Sequence, residues 1–244
     1  MRIPIIAANW KMNKTAEEAR EFASALLLHA LPEDREFIIA ASPTILAVTV
    51  DSFSGSSVSI SAQNMHFEES GAFTGETSAD QVIDTGATHV IIGHSERRHL
   101  FGEDNEMLNK KMLVAENSGL IPIYCVGETL DQRNSGETQD VVKEQIELGL
   151  AHISNDFLEK LIIAYEPVWA IGTGETATPE QAEEMHLFLR ELLPEPTRIL
   201  YGGSVKPENC VELALKPSID GFLIGGASLD PEAFWSIAQA QFTI

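Results

Sequence analysis

The amino-acid sequence predicts an α/β protein, a closed (β/α)8 barrel of eight parallel strands each followed by a helix. Short β-rich runs alternate with amphipathic helical stretches from one end of the chain to the other. Eight such units over 244 residues give about 30 residues per unit, the length of a βαβ repeat. No linker or low-complexity segment interrupts the alternation, so residues 1–244 read as one domain. A doubly wound open sheet is the alternative. Its dinucleotide fingerprint is missing, because Ile171-Gly172-Thr173-Gly174 lacks the third glycine and lies late in the chain.

The strands fall at residues 3–9, 37–41, 58–63, 89–93, 121–126, 161–166, 198–202 and 221–225. Helices occupy the intervals. Thr15 with Glu18 three residues later forms a capping box ahead of Phe22 and Leu26 at helical spacing. Thr178-Pro179-Glu180-Gln181 repeats the signature with proline at the first helical position, and Asp230-Pro231 opens the last helix.

A net charge of −21, from 37 acidic and 16 basic residues, argues against a nucleic-acid or anionic-membrane partner. No apolar run approaches the roughly 18 residues of a membrane span, and the first residues do not read as a secretory signal. Cys125 and Cys210 cannot build a disulfide framework, which points to a reducing compartment, the cytoplasm. Cys125 reads as core packing. The seven histidines form neither His-x-His nor His-Glu-x-x-His, so no metal site is expected.

In a barrel, chemistry belongs at the C-terminal strand ends. Glu166 follows the apolar run 161–165 and precedes Pro167. A desolvated carboxylate there has a raised pKa suited to a general base; the other reading is a solvated strand end. His94 follows a strand and opens a helical turn, whose positive dipole end favours neutral imidazole; a structural rim histidine is the other reading. Asn9 and Lys11 point to the same side of the mouth by alternation, where the lysine could offset an anionic ligand. An ordinary surface lysine is the other reading; a Schiff-base role lacks the apolar setting that lowers a lysine pKa. Glycine-rich turns at 171–174, 201–204 and 224–227 allow close backbone approach to a phosphate; tight turns explain each one equally well.

Read in order, Asn9-Trp10-Lys11-Met12-Asn13, Gly93-His94-Ser95-Glu96-Arg97-Arg98, the string from Ala164 through Glu166-Pro167-Val168-Trp169 to Gly174, Tyr201-Gly202-Gly203-Ser204-Val205 and Gly225-Gly226-Ala227-Ser228-Leu229 resemble the signatures of the triosephosphate isomerase family along the whole chain. The resemblance implies a TIM barrel that interconverts dihydroxyacetone phosphate and D-glyceraldehyde 3-phosphate through an enediolate, without cofactor or metal. Glu166 is then the base and His94 the neutral electrophile, a tuning for which this family is itself the standard example. Lys11 and Asn9 stabilise charge on the substrate, with Glu96 behind them, and Gly172, Ser204, Gly225 and Gly226 bind the phosphate. Pro167, Val168, Trp169, Ala170, Ile171, Thr173, Gly174, Glu175, Thr176 and Ala177 belong to a lid, with Ile171 and Leu223 clamping Glu166. Glu175 departs from the lysine common in the family. The loop 67–76, through Phe73, Thr74, Gly75 and Glu76, docks into a second copy and brings Thr74 near the partner's Lys11 and the partner's His94, implying a homodimer. A lysine-dependent barrel aldolase and a catalytically dead sugar-phosphate-binding homologue are the competing readings.

Overall fold

Runs of Ile, Val and Ala, apolar on both faces, suit strands buried between a barrel interior and a helical coat. The structure, a computed structural model, describes residues 2–170 and 176–243. Its strands are β1 (Ile5–Asn9), β2 (Glu36–Ala41), β3 (Val58–Ala62), β4 (His89–Ile92), β5 (Ile121–Val126), β6 (Ile162–Tyr165), β7 (Arg198–Tyr201) and β8 (Gly221–Ile224). Each neighbouring pair is parallel, and β8 returns to β1 in the register Ile5↔Gly221, so the sheet closes in sequence order. The helices are α1 (Ala16–Leu26), α2 (Leu46–Ser52), α3 (Ala79–Asp84), α4 (Ser95–Phe101), α5 (Asn105–Ser118), α6 (Leu130–Asn134), α7 (Thr138–Gly149), α8 (Asn155–Leu158), α9 (Pro179–Leu192), α10 (Cys210–Ala214) and α11 (Pro231–Ala238).

Period-two alternation divides the core in two. Ile5, Ala7, Ile38, Ala40, Ile91, Ile123, Cys125, Ile162, Ala164, Leu200 and Leu223 fill the barrel. Ile6, Ala8, Phe37, Ile39, Val90 and Ile92 face the helices. The capping boxes at Thr15/Glu18 and Thr178/Gln181 form, and the Asp230 carboxylate accepts the Ala233 N–H at 2.8 Å. Each strand lies within two residues of its expected span. At the mouth the Glu166 and Gly202 N–H groups each add one further bond, to the Val126 and Tyr165 carbonyls at 2.7 Å, and Gly93 turns out of its strand at φ +76°. Among the described residues, no helix is long and apolar enough to cross a membrane.

The opposite rim is closed by ions. Asp220, fully buried, accepts from Arg2 Nε and the Ile199 N–H, each at 2.7 Å, and from the Arg190 guanidinium. Two buried histidines also lie away from the mouth. Burial holds His89 to a pKa of about 4, with Arg198 adding to the effect, and holds His186 to about 3.

A neutral buried histidine binds fewer protons than its unfolded counterpart, whose pKa is near 6.5. Stability is therefore fully present above that value and falls with acidification. Unfolding free energies from denaturant titration should drop by about 2 kcal/mol per histidine between pH 8 and pH 5. His89→Gln should flatten the slope; an unchanged slope in that variant rules out its contribution.

Candidate active site

Alternation along β1, β6, β7 and β8 turns Asn9, Glu166, Gly202 and Gly225 inwards at the C-terminal mouth. At β4, Gly93 adopts φ +76° and breaks the alternation, so that His94 leaves the strand and becomes the N-cap of α4. These residues surround a cavity of about 570 Å³, into which Lys11, Ser204, Leu223 and Gly226 also project. A groove of about 280 Å³ adjoins it, shared through Asn9, Lys11 and His94 and bounded by Glu96 and Arg97.

Glu166 is 2% exposed and holds two hydrogen bonds at the cavity floor. One oxygen lies 3.0 Å from His94 Nε2, and the other accepts the Ser95 N–H at 2.8 Å. His94 Nδ1 accepts the Glu96 N–H at 3.3 Å. Nδ1 also lies 3.5 Å from Glu96 Oε2, and with the Glu96 N–H directed at Nδ1 the ring presents an Nε2–H to Glu166. Lys11 adopts the left-handed region at φ +52°, its N–H held by Asn9 Oδ1 at 3.0 Å. That bend carries its ammonium to Glu96, 2.6 Å away.

The carboxyl departs from the sequence expectation. Burial pushes the Glu166 pKa up, but the His94 imidazole and the Ser95 N–H outweigh it, with Lys11 assisting, and hold the group below the ordinary carboxylate value. For His94, burial pushes the pKa down and the Glu166 carboxylate pulls it up further, a pull that lasts only while the two are in contact. The site thus holds an ionised, doubly hydrogen-bonded carboxylate instead of a raised base.

The far wall of the cavity is backbone. The Gly202 N–H donates to the Tyr165 carbonyl at 2.7 Å, and Asn209 grips the turn beyond through the Ser204 carbonyl at 2.9 Å. A Cβ at Gly202 would stand 3.0 Å from Glu166 Cγ and 3.1 Å from Tyr165 O. Of the expected lid, Pro167, Val168, Trp169, Ala170, Thr176 and Ala177 are described, with a short 3-10 turn at Val168–Ala170. Ile171, Gly172, Thr173, Gly174 and Glu175 lie outside the described residues, and with them the expected phosphate contact of Gly172 and clamp of Ile171.

Two participants escaped the sequence reading. The Ser95 N–H is a backbone group whose partner lies 71 residues away. Glu128, completely buried, accepts from Tyr165 Oη at 3.0 Å, Trp169 Nε1 at 2.9 Å and Arg133 at 3.1 Å, and so ties down the 3-10 turn Val168–Ala170. Its position after a strand end was the available signal; its partners were not. Cys125 is core, its thiol pushed well up by burial. Just before the loop 67–76, His66 stacks on Phe67 and packs at a tilt on Phe73, at centroid distances of 4.4 and 4.3 Å, and Phe73, Thr74, Gly75 and Glu76 are exposed.

Fold and site together put the protein among the (β/α)8-barrel enzymes that carry acid–base groups at the C-terminal mouth. The family model for triosephosphate isomerase matches residues 4–241. The chain is 49% identical to the triosephosphate isomerase of Carboxydothermus hydrogenoformans, over 99% of this chain and 100% of that one. It is 48% identical to those of Geobacter metallireducens and Moorella thermoacetica, over 98% of this chain and 99% of each. The chain belongs to the triosephosphate isomerase family.

Crowding at Gly202 gives a direct test of how tightly the carboxylate is placed. Gly202→Ala should lower kcat by between about tenfold and 10²-fold, since a misplaced reacting group costs that much. Circular dichroism should stay unchanged; full turnover in the variant would mean that Glu166 has room to move aside.

Proposed function

We propose that this chain interconverts dihydroxyacetone phosphate and D-glyceraldehyde 3-phosphate, with Glu166 as the base that carries the proton between the two carbons. The observation that carries the reading is the 3.0 Å contact of Glu166 with His94 Nε2, at the floor of a cavity walled by glycine backbone. The substrate carbonyl oxygen takes over the Nε2–H that Glu166 now accepts. Deprived of that bond and, on moving into the cavity, of the Ser95 N–H, the buried carboxylate loses what holds its pKa down. Binding therefore makes the base. Glu166 removes a carbon-bound proton, His94 donates to the enediolate oxygen, and Glu166 returns the proton to the neighbouring carbon, so no electron acceptor is consumed.

The substrate is an anion and the protein carries −21, so attraction must be local. Lys11, steadied by Glu96, and Asn9 face the reacting oxygens. Backbone N–H groups of Gly172, Ser204, Gly225 and Gly226 receive the phosphate. The segment 167–177 closes over them, with Ile171 and Leu223 covering Glu166. Dry closure raises the carboxylate's basicity and protects the enediolate from losing phosphate. This chemistry needs neither cofactor nor metal.

Residues 1–244 act as one barrel domain in a homodimer. Phe73 on the loop is 42% exposed, and Met12 and Phe101, which border the groove beside Lys11, are 96% and 68% exposed, apolar side chains that a second copy would cover. Two free, buried cysteines suit the cytoplasm.

Glu166→Gln should lower kcat by about 10²–10⁴-fold in a coupled isomerase assay, while Glu166→Asp retains a proton carrier and loses less. Turnover unchanged in the glutamine variant would remove Glu166 from its role. Sedimentation should report a dimer, and Phe73→Asp should shift it towards monomer by placing a charge on the docking loop.

A further inference from the structure

The loop after β1 holds a second lysine in left-handed backbone. Lys14 has φ +72°, a conformation easy for glycine and unfavourable for lysine, so its side chain must offset the cost. Its ammonium donates to the Leu229 carbonyl at 2.7 Å and lies 5.8 and 5.1 Å from the ring centroids of Trp10 and Phe22. The Trp10 indole N–H donates to the Ser228 carbonyl at 3.2 Å. The loop after β1 thus grips the last two carbonyls of the 3-10 turn Gly226–Leu229.

What that turn presents to the cavity follows from one peptide. Gly225 O accepts both the Ser228 N–H at 2.8 Å and Ser228 Oγ–H at 2.7 Å, so it points into the turn. In a trans peptide the N–H points the opposite way, so the Gly226 N–H points out of the turn, and Gly226 itself lines the cavity. Gly225, at φ −85° and ψ −111°, supplies the backbone twist. The Lys11 stem lies against the same peptide, its Cε 3.6 Å from where a Gly225 Cβ would stand. Lys11 and the Gly226 N–H thus approach one ligand from two loops, and Lys14 with Trp10 ties those loops together.

We propose that Lys14 is a positioning residue for anion binding, holding the turn after β8 in register with Lys11 so that ammonium and backbone N–H converge on the phosphate group. The proposal rests on the anion-binding role given to that cavity above.

Lys14→Met keeps the stem on the rings and removes the donor. Lys14→Gly removes the side chain and the left-handed cost together, which keeps the test open if the methionine variant folds poorly. Lys14→Arg restores a cationic donor. Steady-state kinetics should show KM raised by about three- to tenfold in the methionine and glycine variants, with kcat within about twofold and partial recovery in arginine. Calorimetric titration with inorganic phosphate should show its Kd rising in parallel. The difference from the unsubstituted protein should persist in about 0.5 M salt, where a distant charge is screened. KM and phosphate Kd unchanged in folded Lys14→Gly, or a difference that vanishes with salt, overturns the proposal. Should the unsubstituted protein turn over no triose phosphate, the isomerase reading fails while the phosphate titration still decides the role of Lys14.

Discussion

Closure of eight parallel strands is the constraint from which the site follows. Parallel pairing sends every strand's C-terminal end to one rim, and closure leaves no edge along which those ends could spread. The inward residue at each end then has one place to go. Asn9, His94, Glu166, Gly202 and Gly225, scattered through the chain, meet around one cavity. The opposite rim, tied through Asp220 to Arg2, Arg190 and the β7 backbone, keeps β1, β7 and β8 from parting.

Burial acts in opposite directions on the ionisable groups of this barrel. It keeps His89 and His186 neutral, with no carboxylate among the described residues reversing the effect. It also raises Glu166, but there His94 and the Ser95 N–H reverse the direction. The difference lies in partners within 3.0 Å. A ligand that claims one of those partners changes the carboxylate's basicity with no change in its burial. Strong acidity elsewhere on the protein is compatible with the proposed anion site, because there Lys11 and oriented backbone amides would act at contact range while distant surface charges are screened.

Much of the site was legible because a barrel converts strand ends into positions. Glu166 after an apolar run, His94 after β4 and the glycines after β7 and β8 all carry their meaning in a short string. The capping boxes at Thr15 and Thr178 were legible for the same reason: both partners lie within one turn. Glu128 was visible as a residue but not as an anchor, since its hydrogen bonds come from Tyr165, Trp169 and Arg133 on three later segments. The sign of the Glu166 shift was misread for a related reason. Burial could be inferred from the apolar run, whereas the opposing N–H belongs to Ser95, 71 residues earlier.

Local pattern by itself determined the alternation, the strand spans within two residues, the helix starts and the residue types at the mouth, because period and capping depend on near neighbours in the chain. The family followed from the strings at those strand ends. Only the tertiary structure decided which groups share a hydrogen bond: that His94 donates to Glu166, that Glu96 holds Lys11, and that Lys14 reaches Leu229 across 215 residues. Those pairings are set by how the closed sheet brings its loops together, and that distance is not written in sequence separation.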